Sequence, residues 1–224
     1  MGVSTIGPND DAAGERDYTS ITAWLAAENR SAADMEGQID EDATFSENVS
    51  IATAASGTNR VILTVNADYR HSGYWGSGAQ IAGKVALAAD YITCEWFLQK
   101  PGDRGFEING KDYCAIRNIV QWSTVNKRAV YAYGIPDYFE IHSCAFFNTY
   151  GSGNSVTGID IASADHCYVT HCSVRGWNNG IISTYGSGTT RYIGRNACLG
   201  NYTEDLTLGG TGLTAEYNLS LIHI

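Results

Sequence analysis

The chain has 224 residues, of which 24 are acidic and 14 are basic, so its formal net charge is −10. This balance excludes the basic surface of a nucleic-acid-binding protein, and the 44% apolar fraction excludes a disordered chain. No apolar run approaches the roughly 20 residues of a membrane span. Only 17% of the residues are charged, and the chain is instead rich in glycine (25), tyrosine (14) and β-branched residues. This composition favours β-structure.

Residues 1–43 are predicted to be a polar N-terminal segment followed by a capping helix. Residues 1–14 lack the charged-then-apolar pattern of a signal peptide, so no cleaved export signal is visible. Thr19 or Ser20 can cap a short helix in which Ile21, Trp24 and Leu25 share one face. We expect this helix to cover the first apolar layer of the domain that follows.

Residues 44–68 contain strand-like pieces, which we interpret as early, irregular coils: Val49/Ile51 and Val61/Leu63/Val65. A polar and aromatic loop, Arg-His-Ser-Gly-Tyr-Trp, follows at residues 70–75.

From residue 90 onward the chain repeats itself. Successive segments begin at Asp90, Asp112, Asp137 and Asp165, and a fifth at Thr189 keeps the register without the aspartate. The starts are 22, 25, 28 and 24 residues apart, and a sixth segment opens at Thr214. Repeats of this length are typical of solenoids.

Strand periodicity sorts the repeat into columns of equivalent residues. One apolar column is Cys94, Ile116, Ile141, Val169 and Ile193, and another, three residues later, is Phe97, Ile119, Cys144, Cys172 and Asn196. A second apolar set lies upstream: Val85/Leu87, Phe106/Ile108, Val130/Ala132, Ile159/Ile161, Ile181/Ser183 and Leu206/Leu208. We therefore predict two short strands and a variable loop in each coil.

These columns predict an all-β fold, a right-handed single-stranded parallel β-helix over residues 44–218, with the short N-terminal capping helix. Helical repeats are excluded because their period is longer, and the frame of leucine-rich repeats is absent. A β-sandwich stays an alternative.

The last residues, 219–224, read Leu-Ser-Leu-Ile-His-Ile and resemble a translated sequencing adaptor, so we expect the natural protein to continue beyond Asn218. An ordinary terminal strand is the alternative.

The stretches TSITAW at 19–24 and RHSG at 70–73, with the stacked coils, resemble right-handed β-helix proteins of phage and bacterial origin. Their relatives include phage tail spikes and pectate-lyase-like enzymes, and the resemblance covers roughly residues 4–218. It implies a virion-associated or extracellular solenoid and, by analogy with tail spikes, a homotrimer. It does not imply one activity, because this fold supports many.

Glu107 and Asp160 are the candidate catalytic residues. They occur in a predicted outward column with Tyr131 between them, two coils or roughly 9.6 Å apart at about 4.8 Å per coil. This approaches the separation of about 6.5–9.5 Å between the carboxyl groups of inverting glycosidases. Two carboxylates placed by chance on an acidic surface are the alternative. The sequence signatures of polygalacturonases are missing, and no aspartate cluster adjoins an arginine as a lyase would need.

Outward tyrosines are the candidate glycan-binding residues. Tyr168 and Tyr192 lie on adjacent coils, and Tyr131 also points outward. Tyrosine rings can stack on sugar faces, although tyrosine also suits a half-exposed strand for its own sake.

No metal site and no cofactor are predicted. The six cysteines contain no CxxC pair, and we expect them to be free core thiols, with a Cys144–Cys172 disulfide as the alternative.

The sequence leaves three functions open. They are a structural or glycan-binding surface on a virion or outside the cell, a polysaccharide-degrading enzyme, and a structural stalk without a ligand.

Overall fold

The computed structural model describes residues 2–8, 17–28, 34–52, 60–73, 76–150, 156–161, 164–184 and 190–221. These residues form an all-β parallel solenoid of about seven turns with one α-helix. Tyr74 and Trp75 of the predicted polar loop, and Thr189 of the fifth repeat, lie outside the described residues. No helix among the described residues is long and apolar enough to cross a membrane.

Three parallel sheets make up the wall of the solenoid. Sheet 1 has nine strands: Gly2–Ile6, Met35–Ile39, Val61–Val65, Ile92–Glu95, Ala115–Arg117, Phe139–His142, Cys167–Thr170, Arg191–Gly194 and Leu213–Glu216. Sheet 2 has eight: Thr44–Phe45, Gln80–Ile81, Leu98–Gln99, Val120–Ser123, Ala145–Asn148, Ser173–Arg175, Ala197–Leu199 and Leu219–Leu221. Sheet 3 has seven: Val49–Ile51, Val85–Leu87, Phe106–Asn109, Val130–Tyr133, Thr157–Asp160, Asn179–Ser183 and Glu204–Leu208.

The register of the strands confirms the predicted columns. Ile116 pairs with Cys94 on one side and with Ile141 on the other, and the column continues through Val169 to Ile193. All five side chains are completely buried. The upstream apolar set forms the inner face of sheet 3 in the same way. Because every strand pair is parallel, the β-sandwich alternative is excluded.

The prediction of two strands per coil is wrong, because each regular coil has three. Phe97, Ile119 and Cys144 do not continue the strand of sheet 1 that precedes them. Each follows a residue with positive φ, namely Trp96 at 70°, Asn118 at 51° and Ser143 at 54°. This left-handed residue turns the chain into a separate strand of sheet 2.

The N-terminal helix spans Ile21–Ala27, as the sequence predicts, and Ser20 caps it by accepting a hydrogen bond from the Ala23 N–H at 3.0 Å. Trp24 is completely buried against the core. The sheets extend further toward the N-terminus than the predicted coil range of 44–218, because Gly2–Ile6 and Met35–Ile39 are the first two strands of sheet 1. At the other end, Leu219–Leu221 pairs with Ala197–Leu199, whereas residues 222–224 lie outside the described residues.

Candidate functional site

The outer face of sheet 3 brings the two predicted catalytic carboxylates to either side of one tyrosine. Glu107 pairs in register with Tyr131, and Tyr131 pairs with Asp160. The predicted column is therefore present, with the carboxylates two strands apart.

Glu107 is held by three neighbours of the same chain. Lys84 Nζ lies 2.7 Å from Oε2, Arg104 Nη1 lies 2.7 Å from Oε1, and the Tyr133 hydroxyl donates to Oε1 at 3.2 Å. Burial alone would raise the pKa of Glu107, but the hydrogen bond and charge of Lys84, helped by Tyr133 and Arg104, outweigh burial and lower the pKa below 4.5. Glu107 is thus ionised near neutral pH, whereas a general acid must carry a proton there.

Asp160 and Tyr131 belong to the same network. Arg128 Nε lies 2.8 Å from Asp160 Oδ2, and its guanidinium carbon is 4.4 Å from the Tyr131 ring centroid. Arg104 approaches the same ring to 5.1 Å, and the Tyr133 ring stacks on it at 4.7 Å. These contacts compete with a sugar for the faces of the Tyr131 ring. The catalytic assignment of Glu107 and Asp160 and the glycan-binding assignment of Tyr131 stay predictions.

The other two predicted glycan-binding tyrosines are neighbours on the outer face of sheet 1. Tyr168 pairs in register with Tyr192 and is 40% exposed. The Tyr192 ring folds over Gly194, where an added Cβ would lie only 2.5–2.6 Å from ring atoms. The structure places the two tyrosines side by side, and their binding role stays a prediction.

The aspartate–aromatic pairs that revealed the repeat form a ladder at the turn before sheet 1. The rings of Tyr91, Tyr113, Tyr138 and His166 stack face to face with centroids 4.7, 4.9 and 4.8 Å apart. The three tyrosines have φ between 51° and 60°, a conformation that costs energy for residues other than glycine. Ring stacking offsets this cost, so the repeat signal marks a structural turn.

A groove of about 860 Å³ lies over sheet 2 and the turn that precedes it, and we call it the axial groove. Its floor is the first outward position of five successive sheet 2 strands, of which the middle three hold small side chains: Val120, Ala145, Ser173, Ala197 and Leu219. Its wall is the column of residues with positive φ: Trp96, Asn118, Ser143, His171, Arg195 and Tyr217. The groove therefore follows the direction in which the coils stack.

His71 closes one end of the axial groove. Its Nε2 donates to the Asn118 carbonyl oxygen at 2.6 Å, and its Nδ1 accepts from the Gly73 N–H at 3.2 Å. Burial lowers the pKa of His71 below its usual 6.5, and the hydrogen bond to Asn118 only partly offsets this effect. Next to it, the Arg70 guanidinium lies 4.7 Å from the centroid of Trp96. The loop is thus held to the coils by a neutral imidazole.

Acidification is expected to weaken this attachment. Because the pKa of His71 is lower in the folded chain than in the unfolded chain, the unfolded chain takes up the proton first. The contribution of His71 to stability is complete above about pH 6.5 and declines as the pH falls below that value. Urea unfolding between pH 7.5 and 5.5 should therefore show a smaller loss of stability in His71→Gln than in the parent protein. Equal losses in both would contradict the proposed attachment.

A second cavity, of about 570 Å³, adjoins the axial groove, and we call it the aromatic cleft. It is lined by Trp122 and Phe147, whose ring centroids are 6.1 Å apart, and by Arg175 and Tyr202. Trp122, Phe147 and Arg175 lie two residues after the floor residues on the same three strands of sheet 2. One strip of sheet 2 therefore carries both cavities.

Metal-binding and thiol groups do not form a further site in the described part of the chain. No cluster of three or more His, Cys, Asp and Glu side chains occurs there. His142 and His171 touch edge to face at 5.1 Å, and His142 also bonds to Thr170. All six cysteines are buried free thiols, which confirms their predicted core positions. Burial raises the pKa of the Cys144 thiol well above its usual value.

Neither the axial groove nor the aromatic cleft is predicted from the sequence. Both depend on sheet 2, whose strands the column pattern does not separate from those of sheet 1. The available signal was the column of small side chains at Val120, Ala145, Ser173 and Ala197, one residue after the second apolar column.

Comparison with known proteins leaves the site to be interpreted from its geometry. No protein-family model, no curated protein and no solved structure matches the chain. The parallel solenoid is therefore what the structure itself establishes, and the activity is a matter for proposal.

Proposed function

We propose that the chain is a glycan-binding β-helix protein that holds an extended polysaccharide in the axial groove. The observation that carries this proposal is the path of the groove, which crosses five successive sheet 2 strands over a floor whose middle three side chains are small. Coils stack at about 4.8 Å, close to the length that one pyranose adds to an extended chain. Equivalent wall residues can therefore meet successive sugars.

The chemistry of the wall suits a polysaccharide. Asn118, Ser143 and His171 offer polar groups for sugar hydroxyls, and Trp96 and Tyr217 supply aromatic rings at the two ends. Aromatic rings combine an apolar face with a polar edge, as sugar rings also do. The small side chains of Ala145, Ser173 and Ala197 in the middle of the floor allow a sugar ring to lie close to the sheet.

Binding without cleavage is favoured over the enzyme alternative by the state of the candidate carboxylates. Glu107 and Asp160 each form an ion pair with basic residues of the chain, and the pKa of Glu107 is lowered. A glycosidase needs one carboxyl group that stays protonated.

The proposal also includes a location on a virion or outside the cell, and assembly as a homotrimer. Light scattering after size-exclusion chromatography would measure the oligomeric state.

A bulky side chain on the groove floor tests the proposal. Ser173→Trp should fill the axial groove and raise the Kd for bound polysaccharide at least tenfold, about 1.4 kcal/mol. Ser50→Trp is the matched control, because Ser50 is an exposed, outward serine on a sheet 3 strand away from the groove. Its Kd should stay within about twofold of the parent value, the scale of a surface substitution. The readout is a bacterial and plant polysaccharide array, followed by calorimetry on each polymer that binds.

Two results would contradict the proposal. One is the absence of any polysaccharide bound by the parent protein at millimolar concentration. The other is equal affinity of Ser173→Trp and the parent protein, with both variants folded as judged by circular dichroism and thermal melting.

A further inference from the structure

Two exposed basic residues beside the two cavities have no acidic partner in the described part of the chain. On the other faces Lys84, Arg104, Arg117, Lys127 and Arg128 each lie within 4 Å of a carboxylate, whereas Arg60 and Lys111 form no ion pair with the described residues. Arg175 and Arg195 are exposed, and neither has an acidic partner among the described residues. A protein with a net charge of −10 thus leaves two arginines unneutralised on one strip of its surface.

The two arginines stand on opposite sides of the groove floor. Ser173 and Ala197 are paired neighbours on that floor. Arg175 follows Ser173 by two residues, and Arg195 precedes Ala197 by two residues. Arg195 thus lies in the turn at one edge of the floor, and Arg175 lies at the far end of the sheet 2 strand Ser173–Arg175, in the neighbouring coil about 4.8 Å along the stack. A ligand lying on the floor would have one guanidinium on each side.

A third basic residue extends this pattern along the coils. Leu98–Gln99 pairs with the start of Val120–Ser123, so Lys100, the next residue, lies in register with Trp122. The outward column then runs from Lys100 through Trp122 and Phe147 to Arg175. Two aromatic rings are therefore flanked by a positive charge at each end, and a ligand that fits this column has an apolar face and anionic groups.

We infer that the axial groove and the aromatic cleft together select an acidic polysaccharide, whose carboxylates bind Arg195 and Arg175. This inference rests on the proposed function and names its ligand class. A guanidinium suits a carboxylate because it can donate two parallel hydrogen bonds. Nucleic acid also carries regular negative charge, but it requires a broad basic surface, which a chain with 14 basic and 24 acidic residues does not offer.

The test compares acidic polymers with neutral forms of the same polymers. Alginate, hyaluronate and polysialic acid are each measured by calorimetry beside their carboxyl-reduced counterparts. The parent protein is expected to bind at least one acidic polymer at least tenfold more tightly than its reduced form. Added salt should weaken that binding, because exposed charge pairs are screened.

Charge-neutral variants then locate the interaction. Arg195→Gln and Arg175→Gln should each weaken binding of the acidic polymer about tenfold, the scale of a lost charged hydrogen bond, and the double variant by more. Arg60→Gln is the matched control, since Arg60 is an exposed arginine beside sheet 1, and it should change the Kd less than twofold. Thermal melting should be unchanged in all three single variants.

The inference and the proposed function fail in different ways. If a neutral polymer binds, Ser173→Trp blocks it and the arginine variants do not, then the proposed function stands and the inference is overturned. The inference is also overturned if the double variant binds the acidic polymer as tightly as the parent protein does. The same holds if the parent protein binds a single-stranded oligonucleotide as tightly as the acidic polymer. If no polymer binds at all, both are overturned.

Discussion

Replacing Trp24 with alanine is expected to lower the free energy of unfolding by about 3–5 kcal/mol, the cost of removing a large buried aromatic side chain. For a chain of this size the melting temperature should fall by roughly 6–20 °C. The Trp24 side chain is completely buried and lies on Gly37 of sheet 1, where an added Cβ would come within 2.6 Å of the ring. Gly37→Val should therefore displace the ring and destabilise the chain in the same direction.

The effect is large because the helix covers the open end of the apolar interior. Glu47, which precedes a sheet 3 strand, accepts hydrogen bonds from the N–H groups of Ile21 and Thr22 at 2.9 and 3.0 Å and so ties the helix to the coils. Losing the lid exposes both the first apolar layer and the edges of the sheets. We therefore expect Trp24→Ala to aggregate during thermal melting.

Trp122→Ala is the matched control, since Trp122 is only half-buried on the outer face of sheet 2. Its cost should stay within about 1 kcal/mol, as for other surface substitutions. Urea denaturation followed by circular dichroism measures all three variants. A midpoint for Trp24→Ala equal to that of Trp122→Ala would show that the helix does not stabilise the coils.

Most of the fold could be predicted from the sequence because stacking puts equivalent residues beside each other. Ile116, Ile141 and Val169 share a column in the sequence because their side chains share one layer of the core. The third strand of each coil could not be predicted in this way. Asn118 and Ser143 have positive φ, and strand periodicity carries no sign of a turn made by one left-handed residue that is not glycine.

The site was harder to predict than the fold because its features depend on side-chain partners. The sequence placed Glu107 and Asp160 in one outward column, and the register agrees. It could not show that Lys84, on the preceding coil, would reach Glu107. Nor could it show that Arg128, from the loop before Val130–Tyr133, would reach Asp160. Loops vary in length from coil to coil, so the reach of their side chains follows no column.

Replacing Glu107 with glutamine is expected to destabilise the chain and leave glycan binding intact. The carboxylate is only 12% exposed and has two basic partners at 2.7 Å, so losing its charge should cost about 1–3 kcal/mol. Glu140→Gln is the matched control, because Glu140 is about one-third exposed and its single ion pair with Arg117 should be worth no more than about 1 kcal/mol.

The pH dependence of the Glu107 variant separates an ion-paired structural role from catalysis. Because the pKa of Glu107 is lowered in the folded chain, its contribution to stability is complete above the unfolded-state pKa of about 4.3 and is lost as the pH falls through the folded-state pKa. The difference in stability between the parent protein and Glu107→Gln should therefore be constant near neutral pH and shrink below about pH 4. A difference that stays constant down to pH 3 would contradict this role. A different result would favour the hydrolase. The parent protein would release reducing ends from capsular polysaccharide or pectin, and a Glu107→Gln variant of unchanged stability would not. The carboxylate would then act on the substrate rather than on its neighbours.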